Sequence, residues 1–301
     1  MDGLLIIDKP AGLTSHDVVV RARRILRTKS VGHTGTLDPF ATGVLVLLVG
    51  KATRLARFAD KDQKEYEALV QFGSETDTGD KTGSRIAECG MRNEELSERM
   101  RSTDWESVFA KFRGEIMQTP PMFSAKKIEG KKLYELARKG IDVEREPVKV
   151  LIHRLELLPH EIGIPDSRLS IRVVCSAGTY IRTLAEDIGR DVGTGAHLVE
   201  LRRTAAGRFN LDDAIGLDQL EQLDDPNSTL KPINDIVGYL PAVILAPDRV
   251  EKTKNGLSTR VIGDGIADAA FVRMLDTGGG LIAIGTYDAA EKTVKPKIVL
   301  G

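Results

Sequence analysis

A glycine-rich loop with a single acid, directly followed by an apolar run, constrains this chain more than any other feature. The loop is VGHTGTLDPFATG, from Val31 to Gly43, and the run that follows it is VLVLLVG. Pro39 disfavours helical backbone angles at Asp38, while the glycines permit unusual angles or the close approach of a ligand. We therefore predict a tight loop that presents Asp38, with His33 five residues earlier, and that leads into a buried strand. Taken alone, these residues are equally typical of an ordinary structural turn.

Length and composition are those of a soluble globular protein. The 301 residues are 41% hydrophobic and 29% charged, which suits one large domain and a small one. The longest aliphatic run, Val44 to Val49, is too short to span a bilayer, and the N-terminus does not have the pattern of a signal peptide. Cys89 and Cys175 are too few for a disulfide framework or a zinc cluster. The sequence therefore predicts a cytoplasmic protein that does not bind membranes.

The net charge of −1 hides an uneven distribution of charge along the chain. The segment from Leu211 to Asp225 contains six acids and no base. Basic residues concentrate at Arg21 to Lys29, at Lys126 to Lys132, and at Arg202, Arg203 and Arg208. Local patches, and not the total charge, determine affinity for phosphate groups. Each basic run is either part of a nucleic-acid surface or a solvated helix face.

Tyr66 and Arg182 lie in segments whose patterns predict regular structure. Alternation from Lys64 to Gly73 predicts a strand that turns Tyr66 towards the core, where a hydrogen-bonded core tyrosine is the structural alternative. Arg168 to Cys175 also alternates, and the turn after it leads into a helix that begins near Thr179. Arg182 then lies in the first helical turn, where it could bind an anion or a carboxylate. An arginine whose stem covers apolar neighbours is the structural alternative.

Residues after 240 have the pattern of a small, separate β module. Its candidate strands are Val261 to Val272, Leu281 to Tyr287 and Lys295 to Leu300, broken by DGIAD and DTGGG. About sixty residues suffice for a compact barrel.

Several common kinds of site are not indicated by the motifs. Gly50-Lys51-Ala52-Thr53 lacks the upstream glycine and the hydroxyl residue after lysine that a phosphate-binding loop needs. The five histidines are scattered, without the paired spacing of a metal site on a helix. A lone carboxylate on a stiff loop therefore suggests chemistry that uses neither a metal nor a cofactor.

The motifs, taken together, resemble the bacterial tRNA pseudouridine-55 synthase family. The resemblance runs, in order, through GLLIIDKPAGLTSHDVV, GHTGTLDPFATGVL, KEYEALVQFG, TPPMFSAKKIEGKKLYELARKGI, SAGTYIRTLAEDIG and GAHLVELRRT. It implies an α+β fold, with a mixed, mostly antiparallel sheet flanked by helices and a small C-terminal β-barrel-like domain. Residues 1–240 would form the catalytic domain, with a basic RNA-binding arm at about 119–150. Residues 241–301 would form an RNA-binding domain similar to the PUA type.

The resemblance also implies the reaction and the RNA partner. Such an enzyme isomerises uridine 55 in the T-loop of transfer RNA without a metal or cofactor. The bond from N1 to ribose C1′ breaks, the base rotates, and C5 bonds to C1′. Cleavage places positive charge on the ribose, and a carboxylate can stabilise that charge or bond to it. The expected partner is the T-stem-loop of tRNA, no membrane is expected, and the protein is expected to be a monomer.

Seven residues receive roles from the same resemblance. Asp38 would be the essential carboxylate, Tyr66 would stack on the target base near its C5 proton, and Arg182 would pair with Asp38. The expected substrate-binding residues are Lys9 beneath the site, His33 in the space of the extruded nucleotide, Tyr180 in the pocket wall and Leu198 against the base. Whether Asp38 attacks C1′ or removes a proton from C2′ stays open.

Two other functions compete with this interpretation. A non-catalytic protein that binds or folds RNA would use the basic arm and the terminal module without changing uridine, and a folding role could also accompany catalysis. A hydrolase that cleaves nucleosides would use Asp38, but glycoside hydrolases ordinarily need a second acid. Such an acid is not evident in the sequence.

Overall fold

The computed structural model describes residues 2–59, 63–124, 126–128, 130–137, 139–159, 167–261 and 265–300, except for the side chains of 127, 128, 131 and 132. Much of the predicted basic arm is therefore described, but residues 125, 129 and 138 and the side chains of Lys127, Lys131 and Lys132 lie outside the described part.

The described residues form nineteen strands and eight α-helices. The strands are β1 Gly3–Lys9, β2 Val31–Thr34, β3 Thr42–Val49, β4 Lys64–Phe72, β5 Ser74–Thr76, β6 Arg85–Glu88, β7 Gly114–Gln118, β8 Lys127–Ile128, β9 Lys131–Lys132, β10 Val148–Leu157, β11 Arg168–Cys175, β12 Ala196–Ala206, β13 Phe209–Asn210, β14 Ile215–Gly216, β15 Ala242–Ile244, β16 Thr259–Arg260, β17 Phe271–Leu275, β18 Leu281–Asp288 and β19 Thr293–Val299. The helices are α1 Ser15–Ile25, α2 Ala56–Ala59, α3 Asn93–Ser102, α4 Trp105–Ala110, α5 Leu133–Ala137, α6 Ile181–Val192, α7 Leu217–Gln222 and α8 Pro247–Lys254.

A ten-stranded sheet forms the centre of the molecule. Its main order is β14-β1-β3-β12-β4-β11-β10-β7, with β13 paired to β12 and β2 paired to β3. The pairs β1–β14 and β3–β12 are parallel, and the other pairs are antiparallel. A second sheet, in the order β15-β17-β18-β19-β16, follows towards the C-terminus. The predicted fold class is thus confirmed.

Both faces of the central sheet are covered at β1 and β3, which explains the continuous apolar runs of these two strands. Leu5 and Ile7 face a core that includes residues of α1 and α6. Leu4 and Ile6 face the opposite way, into a core shared with Ile284 of the second sheet. Because successive side chains of a strand point to opposite faces, a strand covered on both sides must be apolar throughout.

The candidate strand from Val261 to Val272 is interrupted where DGIAD was expected to break it, and residues 262–264 lie outside the described part. Strand β17 begins only at Phe271. Gly265 and Ala269 have φ values of +104° and +58°, and positive φ interrupts an extended strand. None of the helices in the described part of the chain combines the length and the apolar character that crossing a membrane requires.

Candidate active site

The Asp38 loop connects β2 to β3 and is held in place from below by buried polar groups. Ser15, the first residue of α1, accepts a hydrogen bond from the Leu37 backbone N–H at 2.9 Å. Lys9 is fully buried, and its ammonium group donates to the carbonyl oxygens of Pro10, Leu13 and Pro39 at 2.9, 2.7 and 3.3 Å. Burial lowers the pKa of Lys9 to about 8, and the negative charge of Asp38 opposes this shift. Lys9 therefore lies beneath the loop and holds it.

Gly43 ends the loop at a point where two strands approach closely. Its φ is +99°, and a Cβ atom there would lie 2.2 Å from the carbonyl oxygen of Arg203 on β12. Only glycine satisfies both the backbone angle and the contact. The loop is thus fixed against β12 at one end and against α1 at the other.

Asp38 forms a bidentate ion pair with Arg182, the second residue of α6. Nε of Arg182 lies 3.0 Å from Oδ2 of Asp38, and Nη2 lies 3.1 Å from Oδ1. The Asp38 side chain is 30% exposed, whereas that of Arg182 is only 5% exposed. Paired donors on a planar guanidinium orient a carboxylate more strictly than a lysine could. The carboxylate therefore has a defined direction.

The remaining donors of Arg182 are also occupied. Nη1 donates to the carbonyl oxygen of Thr78 at 2.8 Å, and Nη2 donates to that of Phe123 at 2.7 Å. A second carboxylate, Asp80, lies 3.8 Å from Nη1 and is buried. Burial raises the pKa of the Asp38 carboxyl group; Arg182 opposes this effect and Asp80 adds to it, so the net shift is upward.

The start of α6 is positioned by a buried glutamine from a distant strand. Gln118, the last residue of β7, is fully buried. Its Oε1 accepts a hydrogen bond from the Tyr180 backbone N–H at 3.0 Å, and its Nε2 donates to the Tyr180 carbonyl oxygen at 3.2 Å. Tyr180 is the N-cap of α6 and makes no side-chain cap of its own. Gln118 thus fixes the residue that directly precedes the first helical turn.

A cavity of about 300 Å³ opens beside the ion pair. Four of the predicted site residues line it, namely Asp38, Tyr66, Tyr180 and Arg182. Tyr66 projects from β4 and is buried, as its alternation predicted. Burial raises the pKa of Tyr66, and the positive charge of Arg203 opposes that rise.

His33 lies in a neighbouring cavity and not in this one. That space, of about 480 Å³, is lined by His33 of β2 and shares Asp38 and Arg182 with the first cavity. The two spaces therefore meet at the ion pair.

Leu198 lines neither cavity, whereas Leu201 of the same strand lines the first. In the pairing of β12 with β4, Leu198 is opposite Val70, and Leu201 is opposite Ala68. Val70 is four residues from Tyr66, which places Leu198 about 13 Å along the sheet. An irregularity between residues 198 and 200 keeps both leucines on the same face. A bulge of this kind is not visible in a periodic pattern, and the sequence prediction therefore missed Leu201.

Two of the three basic runs are paired in part with acids of the same molecule. Nη2 of Arg21 lies 2.6 Å from both Asp218 and Glu221, and Arg24 lies 3.1 Å from Glu221, so α1 pairs with the acidic segment. Arg202 pairs with Asp8 at 2.8 Å, and Arg208 pairs with Asp235 at 3.3 Å. Arg203 is fully buried in the wall of the first cavity.

The residues missed by the sequence analysis are the cavity residues Lys64, Ser124, Leu201 and Arg203, of which only Arg203 had been noted as basic.

Across the described ranges, no group of three or more histidine, cysteine, aspartate or glutamate side chains is placed to hold a metal ion.

Comparison with known proteins agrees with the geometry. The N-terminal domain of TruB family pseudouridylate synthases matches residues 23–181, and the C-terminal domain of tRNA pseudouridylate synthase B matches residues 182–249. A protein of Solibacter usitatus named tRNA pseudouridine synthase B is 43% identical over 95% of this chain and 95% of its own length. Its namesake in Bordetella avium is 47% identical over 80% of this chain and 96% of its own.

Solved structures are similar over almost the whole chain. A chain in the structure of an H/ACA RNP bound to a substrate RNA containing 2′-deoxyuridine is 26% identical, with a TM-score of 0.71. The match covers 99% of this chain and 85% of that one. A chain of the archaeal box H/ACA sRNP is 25% identical, with a TM-score of 0.70 and coverage of 99% and 85%. This chain belongs to the TruB family of pseudouridylate synthases, as its motifs predicted.

Removing the Gln118 amide should loosen the start of α6. In Gln118→Met the buried N–H of Tyr180 loses its acceptor, which costs about 1–3 kcal/mol. We expect hydrogen exchange at the Tyr180 amide to become at least about tenfold faster, measured by mass spectrometry of peptides that contain residues 179–185. Met117→Ala is the matched control, because Met117 is exposed on the same strand. Equal exchange in all three proteins would contradict this role of Gln118.

Proposed function

We propose that this chain isomerises uridine to pseudouridine in transfer RNA, at uridine 55 of the T-loop. The observation that carries the proposal is the oriented Asp38 carboxylate, which opens onto a cavity that Tyr66 and Tyr180 also line. Membership of the TruB family supports the chemistry, and the names of the relatives support tRNA as the substrate. The motif order that first suggested the family includes these site residues.

Asp38 would act at the ribose of the target nucleotide. When the N1–C1′ bond breaks, its electron pair stays on the uracil and the sugar becomes electron-poor. An oriented carboxylate can form a bond to C1′ or remove a proton from C2′, and either step relieves that deficiency. Uracil stays in the cavity and rotates, and C5 bonds to C1′ while the Asp38–C1′ bond breaks or, on the other route, while C2′ regains its proton from Asp38. C5 then loses its proton, and N1 gains one. No atom is added or lost, so neither water nor a second acid is required.

Tyr66 would stack on the uracil and lie near the C5 proton. Its ring projects from the same face of the sheet as Leu201, which we propose as the apolar contact to the base in place of Leu198. Tyr180 would close the cavity wall. Lys9 would support the site without contacting the substrate, because its ammonium group already donates hydrogen bonds to three backbone carbonyl oxygens.

The target nucleotide would leave the T-loop stack to reach Asp38. C1′ is inaccessible in a stacked loop, and unstacking costs a few kcal/mol. The neighbouring cavity lined by His33 meets the first at the Asp38–Arg182 pair, and it offers room for RNA next to the extruded nucleotide. His33 would contact the RNA there.

The rest of the T-stem-loop would be held by surfaces outside the cavity. We assign residues 1–240 to the catalytic domain and its arm, about 119–150, to the T-loop. Lys126 of the arm lines the cavity, which supports that placement. Residues 241–301 would form a PUA-like domain that contacts the tRNA through shape and phosphates. The same contacts would allow a tRNA-folding role that does not depend on catalysis.

Asp38→Asn should abolish isomerisation and leave RNA binding within about tenfold, because it removes the charge with little change in volume. The measurement is the amount of pseudouridine formed in a single turnover, together with the dissociation constant for tRNA. Asp235→Asn is the control, since Asp235 pairs with Arg208 and not with a cavity residue. Full activity of Asp38→Asn would remove Asp38 from the mechanism, and loss of RNA binding would point to a structural role.

The single-turnover rate should fall at acidic pH, because the reaction needs the ionised carboxylate. Burial raises the pKa of Asp38, so the fall should be centred above the ordinary aspartate value of about 3.9. Asp80 adds to that rise, and Asp80→Asn should therefore move the fall to lower pH. Rates at saturating tRNA, measured between about pH 4 and pH 8, test both statements. A fall centred at or below about 3.9, or a shift to higher pH in Asp80→Asn, would contradict them.

A further inference from the structure

Arg203 occupies a position in the cavity wall that the roles assigned above leave unused. It lies on β12 directly opposite Tyr66 of β4, so the two side chains share one face of the sheet. Its side chain is fully buried and lines the first cavity together with Asp38 and Tyr66. A fully buried arginine is rare unless its charge and donors are used.

Two nitrogens of Arg203 donate to backbone carbonyl oxygens, and the third does not. Nε donates to the carbonyl oxygen of Val44 at 2.7 Å, and Nη2 donates to that of Gly35 at 3.0 Å. These bonds fix the plane of the guanidinium group. Nη1 is buried and has no hydrogen-bond partner of standard geometry among the described residues. The guanidinium does interact with the Tyr66 hydroxyl, since hydrogen bonding to Arg203 acts to lower the pKa of Tyr66. A native protein rarely leaves a buried charged donor unsatisfied without a reason.

Two other long cations near the ion pair, Arg182 and Lys9, do not offer an equivalent donor. Arg182 already pairs with Asp38 and donates to the carbonyl oxygens of Thr78 and Phe123. Lys9 already donates to carbonyl oxygens beneath the loop. Arg203 is therefore a rigid positive charge that interacts with the Tyr66 hydroxyl, and its Nη1 lacks a partner of standard geometry among the described residues.

The proposed reaction creates a negative charge that such a group would stabilise. When the N1–C1′ bond breaks, the electron pair left on N1 is shared with O2 and O4 of the uracil. We propose that Nη1 of Arg203 donates a hydrogen bond to one of these oxygens and stabilises the detached base until C5 bonds to C1′. A donor fixed before the reaction is worth more than one that must reorient. The proposal rests on the proposed function, and it holds whether Asp38 attacks C1′ or deprotonates C2′.

Sulfur substitution in the RNA tests this contact at the level of single atoms. Three T-arm stem-loops carry uridine, 2-thiouridine or 4-thiouridine at the target position, because sulfur accepts hydrogen bonds more weakly than oxygen. Single-turnover rates are measured for wild type, Arg203→Met and the control Arg202→Met. Arg202 neighbours Arg203 but pairs with Asp8 and does not line the cavity.

In wild type we expect one of the two thio substitutions to slow the reaction about tenfold relative to the other. Arg203→Met should lower the rate on the uridine RNA about 100-fold and change the ratio of the two thio RNA rates about tenfold from its wild-type value. Arg202→Met should keep both the rate and the difference. Comparing ratios between proteins cancels the intrinsic effect of sulfur on the uracil.

Other outcomes overturn the proposal. If wild type does not distinguish the two thio RNAs, or if Arg203→Met retains the wild-type ratio between them, Arg203 has a structural role only. If Arg203→Met fails to fold by circular dichroism, Arg203→Lys replaces it, and an unchanged ratio in that variant overturns the proposal equally. Absence of pseudouridine from the uridine RNA with wild type would instead overturn the proposed function.

Discussion

The paired contact between Asp38 and Arg182 is the interaction on which the site depends. It joins a loop between β2 and β3 to the first turn of α6, across 144 residues of sequence. Placing two charges in a mostly buried setting is costly unless their geometry is good and their remaining donors are satisfied. Here the remaining donors of Arg182 reach the carbonyl oxygens of Thr78 and Phe123. The pair therefore orients the carboxylate more than it stabilises the fold.

Buried polar groups around the pair provide the rigidity that such an orientation needs. Lys9 and Ser15 hold the loop that carries Asp38, and Gln118 holds the residue before Arg182. Each lies on a different element, so the site forms only when β1, α1 and β7 are in place. Catalysis of this kind depends mainly on positioning. Because the site is already ordered when the protein folds, ordering it does not add to the activation free energy of the reaction.

Periodicity and turn chemistry predicted the parts of this architecture that depend on local sequence. Alternation placed Tyr66 inward, and the turn before Thr179 placed Arg182 in the first turn of a helix. The parts that depend on tertiary pairing were not predictable in this way. The bulge in β12 brings Leu201 and not Leu198 to the cavity, and Arg21 meets its acids only because α7 packs near α1. Arg203 was noted only as part of a basic run, since burial of a charge has no periodic signature.

The most direct test is to incubate the purified protein with an unmodified tRNA transcript, in EDTA and without a cofactor, and to map pseudouridine at single-nucleotide resolution. A transcript with cytidine at the target position is the matched control. The account predicts one new pseudouridine, at the T-loop uridine, and no free uracil. Binding of the tRNA without any pseudouridine, or release of uracil, would contradict it.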